Sequence, residues 1–244
     1  PVTAINMLTK RAESAKYTSS SYVFFETQDG FNFVTLENLV SQEPVETYHR
    51  VKLNTLNPVA RAREAVSITD HDMTTRFDTL SNLKAGMYQS HLISHDMITK
   101  RITRRDWEYS GTFNGYNHLG KNRLTFQKSL TTDGERARFY LIPDGVEKKQ
   151  DFIQLRNSAM MQLSNIRFSI AVPGSMQLVV CDTIRLEFPT IQGIVDTVNK
   201  PDKYLTGKYL IAALRHKIDT NAHVVIMEIV KDSFDKPLIS EVVI

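Results

Sequence analysis

Apolar and polar positions alternate most clearly in the last third of the chain. Every second residue is apolar in segments 166–172 and 184–188, with Arg, Ser, Ala or Glu between them. A period of two is typical of strands that bury one face, so two half-buried strands are predicted there. A helix is predicted before them, with Asp151 as its N-cap and apolar residues at helical spacing. These apolar residues are Phe152, Leu155, Ala159 and Leu163.

A long hairpin is predicted near the end of the chain. Its strands are GKYLIAALRHKI (Gly207–Ile218) and His223–Val230, and the polar segment DTNA (Asp219–Ala222) connects them. On the first strand, alternation places Leu210, Ala212, Leu214 and Ile218 on one face, and Tyr209, Ile211, Ala213, Arg215 and Lys217 on the other. Successive alternating strands with short connections predict a small antiparallel barrel or sandwich. Such a barrel hides its strand edges or offers them to neighbouring subunits.

The first 40 residues predict a helix followed by a second hairpin. Apolar residues at spacings of three and four indicate a helix over Val2–Lys16. The strands YVFFET (Tyr22–Thr27) and FNFVTL (Phe31–Leu36) flank QDG (Gln28–Gly30), whose Asp-Gly pair is a frequent hairpin turn. Helix and hairpin together predict a small α+β unit.

The middle of the chain carries weaker patterns. ETYHRVKL (Glu46–Leu53) predicts a strand, and Asn57-Pro58 a turn or the start of a short helix. Residues 77–100 predict a strand-rich stretch with a local turn at Leu80–Asn82. Four glycines and short apolar runs such as RFYLI predict loops and hairpins over residues 107–148.

Composition narrows the class of protein. Of 244 residues, 41% are hydrophobic and 23% charged, which argues against extensive disorder. The net charge of +3 is too small to indicate nucleic-acid or membrane binding by the chain as a whole. The single cysteine, Cys181, excludes an internal disulfide and favours a reducing compartment. No stretch reaches the ~18–20 apolar residues of a membrane span. The chain starts at Pro1 without a leader pattern, so we expect it to be a piece of a longer gene product.

Two clusters are candidate metal ligands. In HLISHD, His91 and His95 stand four residues apart and Asp96 is adjacent. That spacing suits zinc only on a helix, whereas this context predicts a strand, and Leu92 replaces the glutamate of the metalloprotease pattern. The carboxylates of Asp70–Asp72 lack the glycine-punctuated spacing of a calcium loop. Paired or solvated histidines and a polar loop are the favoured interpretations.

One basic run is a candidate nucleic-acid contact. Lys100–Arg105 (KRITRR) carries four cations, and Trp107 and Tyr109 would be able to stack on bases. Acidic neighbours at positions 106 and 108 offset the charge, and an exposed strand or loop tip has the same pattern. An exposed strand or loop tip is therefore the favoured interpretation of this run.

No catalytic motif stands out. The sequence has no glycine-rich phosphate loop, nucleophile elbow or Cys–His signature. Cys181 follows the apolar LVV and is predicted to be a buried structural thiol. Glu26 and Asp29 are a conceivable glycosidase pair, but two carboxylates beside a turn are commonplace. No catalytic, cofactor-binding or metal-binding residue is therefore predicted, and no cofactor.

Three stretches together resemble a known family. They are YVFFETQDGFNFVTLENL (Tyr22–Leu39), FDTLSNLKAGMYQSHLISHDMITK (Phe77–Lys100) and GKYLIAALRHKI (Gly207–Ile218). In order and spacing they are similar to the central baseplate hub protein of contractile-tailed, T4-like phages. That protein in turn resembles the hub portion of type VI secretion spike proteins.

The resemblance implies an α+β fold, mostly antiparallel, with tube-type small β-barrel domains and a helix-plus-hairpin insertion. Residues 1–44 would be the insertion. Residues 45–150 would be a mixed β region with a barrel segment and a loop-rich insertion. Residues 151–244 would be a helix followed by antiparallel barrel strands. The expected barrel-wall residues are Phe168, Ile184, Leu186, Leu210 and Leu214.

The resemblance also implies a structural function without catalysis. Hubs of this family are homotrimers whose barrels form a pseudo-sixfold ring between the sixfold tail tube and the threefold spike. The expected partners are therefore two further copies, a tail tube or tube-adapter protein and a spike protein. DNA would pass through the channel without specific binding, and this chain would not insert into a membrane. The expected location is the virion tail baseplate, assembled in the host bacterial cytoplasm.

Two alternatives remain open at this point. One is a tail-associated cell-wall hydrolase component, for which the sequence offers only Glu26 and Asp29. The other is a nucleic-acid-binding module that uses Lys100–Arg105. The first barrel of the resembled family normally includes N-terminal residues that are not seen in this sequence. We therefore do not expect this chain alone to form a complete ring.

Overall fold

The computed structural model describes residues 2–17, 21–50, 66–76, 78–124, 138–144, 149–189 and 201–237. Its helices are α1 (Val2–Thr9), α2 (Leu36–Val40), α3 (Thr79–Ala85), α4 (Tyr109–Thr112), continued by a 3-10 turn over Phe113–Gly115, and α5 (Lys149–Leu163). The strands are β1 (Tyr22–Thr27), β2 (Gly30–Thr35), β3 (Thr47–His49), β4 (Asp70–Arg76), β5 (Gln89–Asp96), β6 (Ile102–Glu108), β7 (Arg138–Asp144), β8 (Ile166–Pro173), β9 (Thr183–Glu187), β10 (Gly207–Ile218) and β11 (His223–Lys231).

The first hairpin forms as predicted, with Tyr22 opposite Thr35 and Thr27 opposite Gly30. Gly30 has a φ of +130°, which L side chains rarely adopt, so the Asp-Gly turn depends on glycine there. The helix before it is shorter than predicted. It ends at Thr9, and Val2 and Leu8 of its apolar stripe are more than half exposed. The stripe therefore does not make α1 a core helix.

A six-stranded sheet in the order β3-β9-β10-β11-β8-β4 forms the centre of the molecule. Its pairs are antiparallel except for β3 beside β9. The sheet curls, and the segment before β4 reaches the opposite edge. There the His49 N–H donates to Val66 O and the Ile68 N–H donates to His49 O, both at 2.9 Å. The curled sheet is thus a half-barrel joined at one end, which confirms the predicted α+β, mostly antiparallel fold.

The inner face of this sheet holds the main core, a cluster of buried apolar residues that includes Phe168, Ile184 and Leu186. These three expected wall residues are at most 2% exposed. A second cluster packs α2 against the other side of the sheet and contains Leu39 and Leu210. The division into 1–44, 45–150 and 151–244 stays a prediction.

The predicted faces of β10 are wrong beyond Ile211. Tyr209 and Ile211 share a face, as predicted, and lie in the main core with 0% exposure, while Leu210 lies in the second cluster. Arg215 and Lys217, predicted on the face of Tyr209, are exposed. Ala212 is the extra residue of a β-bulge between Ile211 and Ala213. Because a bulge shifts the alternation by one residue, Leu214 returns to the main core beyond it.

A three-stranded sheet in the order β6-β5-β7 covers one side. Its β7 contains the RFYLI run and pairs in parallel with β5, so this run does not form the local hairpin predicted. The predicted turn at Leu80–Asn82 lies inside α3, because Asp78 caps its N-terminus and Gly86, at φ +80°, ends it. Nor is Asp151 an N-cap, since α5 starts at Lys149. Asn57-Pro58 lies outside the described residues.

Helix α5 packs on β5 through a buried polar row as well as through apolar side chains. Gln154 Nε2 donates to Ser90 O at 2.9 Å, and Ser158 Oγ donates to Met87 O at 2.7 Å. Gln162 Nε2 donates to Ser158 Oγ at 2.9 Å one turn later. These directional contacts fix the position of α5 along β5, because a shift would leave buried donors unpaired.

Candidate functional site: open strand edges and the clamp behind them

In the part of the chain that the structure describes, strand β4 is the last strand in the order of the six-stranded sheet. Among the described residues only β8 pairs with it. The side chains of Asp70 and Asp72 are exposed, whereas the His71 ring lies 5.6 Å from the Phe188 ring and Met73 packs on the main core. The Asp70–Asp72 cluster was interpreted as a polar loop, and that was wrong: it lies in a strand whose acidic face points outward.

Strand β10 has a second open edge in its distal part. Strand β9 pairs only with Gly207–Leu210, and the backbone of Ile211 bonds to residues 181 and 182. Beyond it, Ala212–Ile218 has a partner strand on one side only among the described residues, namely β11. Arg215, Lys217 and Ile218 are exposed there. The other strand of the hairpin has no free edge, because β8 pairs with it from Val224 to Lys231.

Among the described strands, β6 is an edge of the three-stranded sheet and carries the second part of the basic run. Arg104 Nε donates to Asp106 Oδ1 at 3.1 Å, and the same carboxylate oxygen lies 2.5 Å from His91 Nδ1 on β5. Hydrogen bonds from His91 and Arg104 and their charges lower the pKa of the Asp106 carboxyl. The run therefore extends from Lys100 and Arg101 before the strand into an exposed strand, with part of its charge paired within the sheet.

The two aromatic residues beside this run are not exposed together with its cations. Tyr109 is 2% exposed, and its hydroxyl accepts a hydrogen bond from the Leu124 N–H at 3.1 Å. Trp107 packs against the main core. Neither residue is displayed with the cations as a surface on which bases would stack.

The candidate metal ligands are also separated by the fold. His91 is 4% exposed and paired with Asp106, while Asp96 accepts hydrogen bonds from its own turn at Ile98 and Thr99. Across the described ranges, no group of three or more His, Cys, Asp or Glu side chains is placed to hold a metal ion.

The remaining candidate residues are the two carboxylates of the first hairpin and the single cysteine. Glu26 and Asp29 are exposed at the end of the first hairpin. Cys181 is buried, as predicted, and burial raises the pKa of its thiol to about 11. Of the helices that the structure describes, none is both long and apolar enough to cross a membrane.

Behind the hairpin lies a feature that the sequence analysis missed. Residues 231–235 leave β11 and pair with the loop 118–122; we call these two segments the clamp. The Asn122 N–H donates to Phe234 O at 2.8 Å, and the Phe234 N–H donates to Asn122 O at 2.7 Å. The Gly120 N–H donates to Ser233 Oγ at 2.6 Å. The clamp anchors the loop to the base of the long hairpin.

A buried contact between a carboxylate and a histidine lies inside the clamp. Asp232, 4% exposed, accepts from the Leu119 N–H at 3.0 Å, and its other oxygen lies 2.8 Å from His118 Nδ1. His118 Nε2 lies 3.0 Å from Phe113 O, and its ring stacks on the Phe113 ring at 3.9 Å.

A buried lysine in the clamp donates hydrogen bonds to backbone carbonyls of the segment before β10. Lys231 is 0% exposed; its Nζ donates to Thr206 O at 3.0 Å and lies 4.9 Å from the centre of the Tyr209 ring. Burial lowers the pKa of this ammonium to about 8, although Asp235 and Asp232 act in the opposite direction. The charge is stabilised by carbonyl oxygens and aromatic faces.

This lysine predicts a measurable pH dependence. The unfolded chain holds the proton up to a pKa near 10.5, so stability rises with pH from about 8, where the folded lysine starts to lose it. Buried Cys181 and Tyr48, whose pKa values are raised to about 11 and about 12, act oppositely at high pH. The effects of Cys181 and Tyr48 cancel when the free energy of unfolding of Lys231→Met is subtracted from that of the wild type. This difference should increase by about 2 kcal/mol between pH 7.5 and 10, measured by urea unfolding. A difference that does not change with pH would contradict a buried ammonium.

Comparison with known proteins gives one curated relative and several solved structures. No family model matches the chain. The probable baseplate hub protein gp334 of Vibrio phage KVP40 is 20% identical over 248 aligned positions, which cover 96% of this chain and 57% of that protein. The resemblance to phage baseplate hub proteins is confirmed by this relative. The chain spans only about half the length of the proteins it matches.

Two tail proteins are among the similar solved structures. The tail protein of Neisseria meningitidis MC58 has a TM-score of 0.48 at 8% identity, over 89% of this chain and 54% of that one. The 43 kDa tail protein of prophage MuSo2 from Shewanella oneidensis has a TM-score of 0.47 at 10% identity, over 96% and 55%.

Proposed function

We propose that the chain is a structural part of a phage tail baseplate and belongs to its central hub. The observation that carries this proposal is the sequence similarity to a probable baseplate hub protein across 96% of the chain. A relative matched over nearly the whole chain points to the same architecture throughout, and not to one shared motif. The proposed location is accordingly the tail baseplate of a virion, assembled in the bacterial host cytoplasm.

The build of the molecule supports a role in assembly. One face of the six-stranded sheet is packed on the main core, and the outer side chains at its open edges, such as Asp72 and Arg215, are exposed. Open edges carry unpaired backbone donors and acceptors, which other chains satisfy in assemblies. The clamp anchors the base of the hairpin, so that an edge presented to a neighbour keeps its position.

In its finer form the proposal is a ring. Three copies would surround a channel for DNA and join a tail tube or tube-adapter protein to a spike protein. The contribution of this chain would be geometric, through subunit contacts and matching of symmetry, and no catalysis is assigned to it. A turnover of cell-wall material that falls on replacing Glu26 or Asp29 would favour the hydrolase alternative instead.

The ring is tested by absolute mass and shape. Light scattering on the purified chain and on the full-length gene product, with negative-stain imaging of the same peak, should give three copies in a threefold ring. The ionic strength should be kept near 0.1 M, because contacts between exposed charges weaken in salt. A full-length gene product that remains a single copy would overturn the ring.

A further inference from the structure

Two histidines meet near the tip of the long hairpin. His216 lies on β10 and His223 is the first residue of β11, and His216 Nδ1 lies 3.1 Å from His223 Nε2. Their partners across the hairpin are Val225 and Ile218, so the two histidines are diagonal neighbours on the paired strands. Both side chains are half-buried, and a small ion in solution is therefore able to reach their nitrogens.

The distance between these two nitrogens suits two ligands of one metal ion. Zinc binds histidine nitrogen at about 2.0–2.1 Å. Two such nitrogens lie roughly 3.3 Å apart on a tetrahedral ion and roughly 2.9 Å apart at adjacent corners of a square-planar ion. The observed 3.1 Å falls between the two values. An ion would take the place of the hydrogen that two neutral rings share between these atoms, and each ring would carry its own hydrogen on its other nitrogen.

The backbone holds the two rings in position. The Asp219 N–H donates to Ala222 O at 2.8 Å and closes the turn between the strands. The Gly174 N–H donates to the carbonyl oxygen of His223 at 2.8 Å, and a Cβ at Gly174 would overlap Cγ and Nδ1 of the His223 ring. That ring therefore lies against Gly174, with its Nε2 directed towards His216. Ligands that are held in this way lose little freedom when an ion binds.

The cations next to the pair in sequence face away from it. Arg215 and Lys217 flank His216, so the alternation of side chains places both on the opposite face of β10. The Lys217 ammonium also lies 3.6 Å from the Asp219 carboxylate. Within the described ranges, no third His, Cys, Asp or Glu side chain joins the two histidines as a ligand. The remaining positions on an ion are therefore left to water.

We propose that His216 and His223 bind a divalent first-row transition-metal ion at the tip of the long hairpin. Imidazole nitrogen suits zinc, copper and nickel, whereas magnesium and calcium prefer oxygen ligands. An ion that is bound by both strands ties β10 to β11 at the end of the hairpin opposite to the clamp. The inference goes beyond the proposed function and does not depend on it.

Titration of the chain with Zn²⁺, Ni²⁺ and Cu²⁺, after removal of any histidine tag, tests the site. Calorimetry should give one bound ion per chain. Zn²⁺ at about 100 times its Kd should raise the midpoint of thermal unfolding by ~5 °C, and EDTA should reverse the increase. Mg²⁺ at the same concentration should leave the midpoint unchanged. Electron paramagnetic resonance of the Cu²⁺ form should show two nitrogen ligands.

Substitutions locate the site. His216→Ala and His223→Ala should each weaken binding ~100-fold, because the gain from two linked ligands is lost. The matched control is His95→Ala, which removes another half-buried histidine from a strand and should bind as the wild type does. Gly174→Ala keeps both ligands but displaces the His223 ring, so it should also weaken binding. Circular dichroism verifies that every variant folds.

The outcomes separate this inference from the proposed function. Loss of the two-nitrogen signal in both histidine variants, with normal binding in His95→Ala, supports the site. Binding that is unchanged in His216→Ala and His223→Ala overturns it, because the ion is then bound elsewhere. A wild type that binds none of the three ions also overturns it and leaves the hub function standing. A full-length gene product that remains a single copy overturns the ring and leaves the metal site standing.

Discussion

Replacing Asp232 by alanine is expected to lower the free energy of unfolding by about 3 kcal/mol, because each buried polar group left without its partner costs ~1–3 kcal/mol. The carboxylate is 4% exposed and takes contacts from His118 Nδ1 at 2.8 Å and the Leu119 N–H at 3.0 Å. Without it, the buried Leu119 N–H has no acceptor, His118 loses its partner, and the loop 118–122 loses its anchor. Urea unfolding at pH 7 measures the change.

The matched control is Asp219→Ala at the tip of the long hairpin. There the carboxylate lies 3.6 Å from Lys217 Nζ, and both side chains are about 60% exposed. Exposed pairs contribute ~0–1 kcal/mol, so this variant should stay close to the wild type. Equal destabilisation by the two substitutions would show that the clamp is not the cause.

Gly120→Ala should be the second strongly destabilising change, at about 3 kcal/mol. A Cβ at Gly120 would lie 2.6 Å from both the carbonyl carbon and the oxygen of Phe234. Those are backbone atoms, which cannot rotate away as the end of a side chain can. The methyl group therefore separates the two segments and weakens the paired hydrogen bonds between Asn122 and Phe234.

Gly115→Ala provides the comparison for this substitution. A Cβ there meets nothing within 4 Å, and the residue also lies in the stretch that follows β6. It should change the midpoint of thermal unfolding little, whereas Gly120→Ala lowers it by several degrees. Similar midpoints for both alanine variants would refute a close approach at Gly120.

Local alternation was enough to predict β8, β9 and both hairpins. In the long hairpin, Ile218 pairs with His223, and the Asp219 N–H donates to Ala222 O across the predicted connection. In such elements the pattern and the turn lie close together in sequence. The resulting antiparallel fold class was therefore within reach of the sequence.

The prediction errors arose where contacts between segments that are far apart in sequence determine the structure. The helix α3 had its signals, Asp78 at the start and Gly86 at the end, but its neighbours suggested strands. The parallel pairing of β7 with β5 leaves no mark in either segment. The extra residue at Ala212 looks like any small apolar residue, so alternation alone grouped Tyr209 with Arg215 and not with Leu214.

The clamp was missed for a related reason. Charges directly after an apolar strand, as in Lys231 and Asp232, ordinarily mark the point where a strand returns to solvent. Here the loop at 118–122 covers them, and that loop is more than 100 residues away in the chain. The nearest signal was a lysine and two aspartates within five residues, which indicates nothing about burial without the partner.

The bulges in β10 and β4 have a consequence for the faces of these strands. One lies between Ile211 and Ala213 on β10, and another between Met73 and Thr75 on β4. A bulge bends its strand and increases the local twist, and its extra residue shifts the alternation of side chains by one. Deleting Ala212 or Thr74 would therefore straighten the strand and turn every side chain beyond the deletion to the opposite face of the sheet.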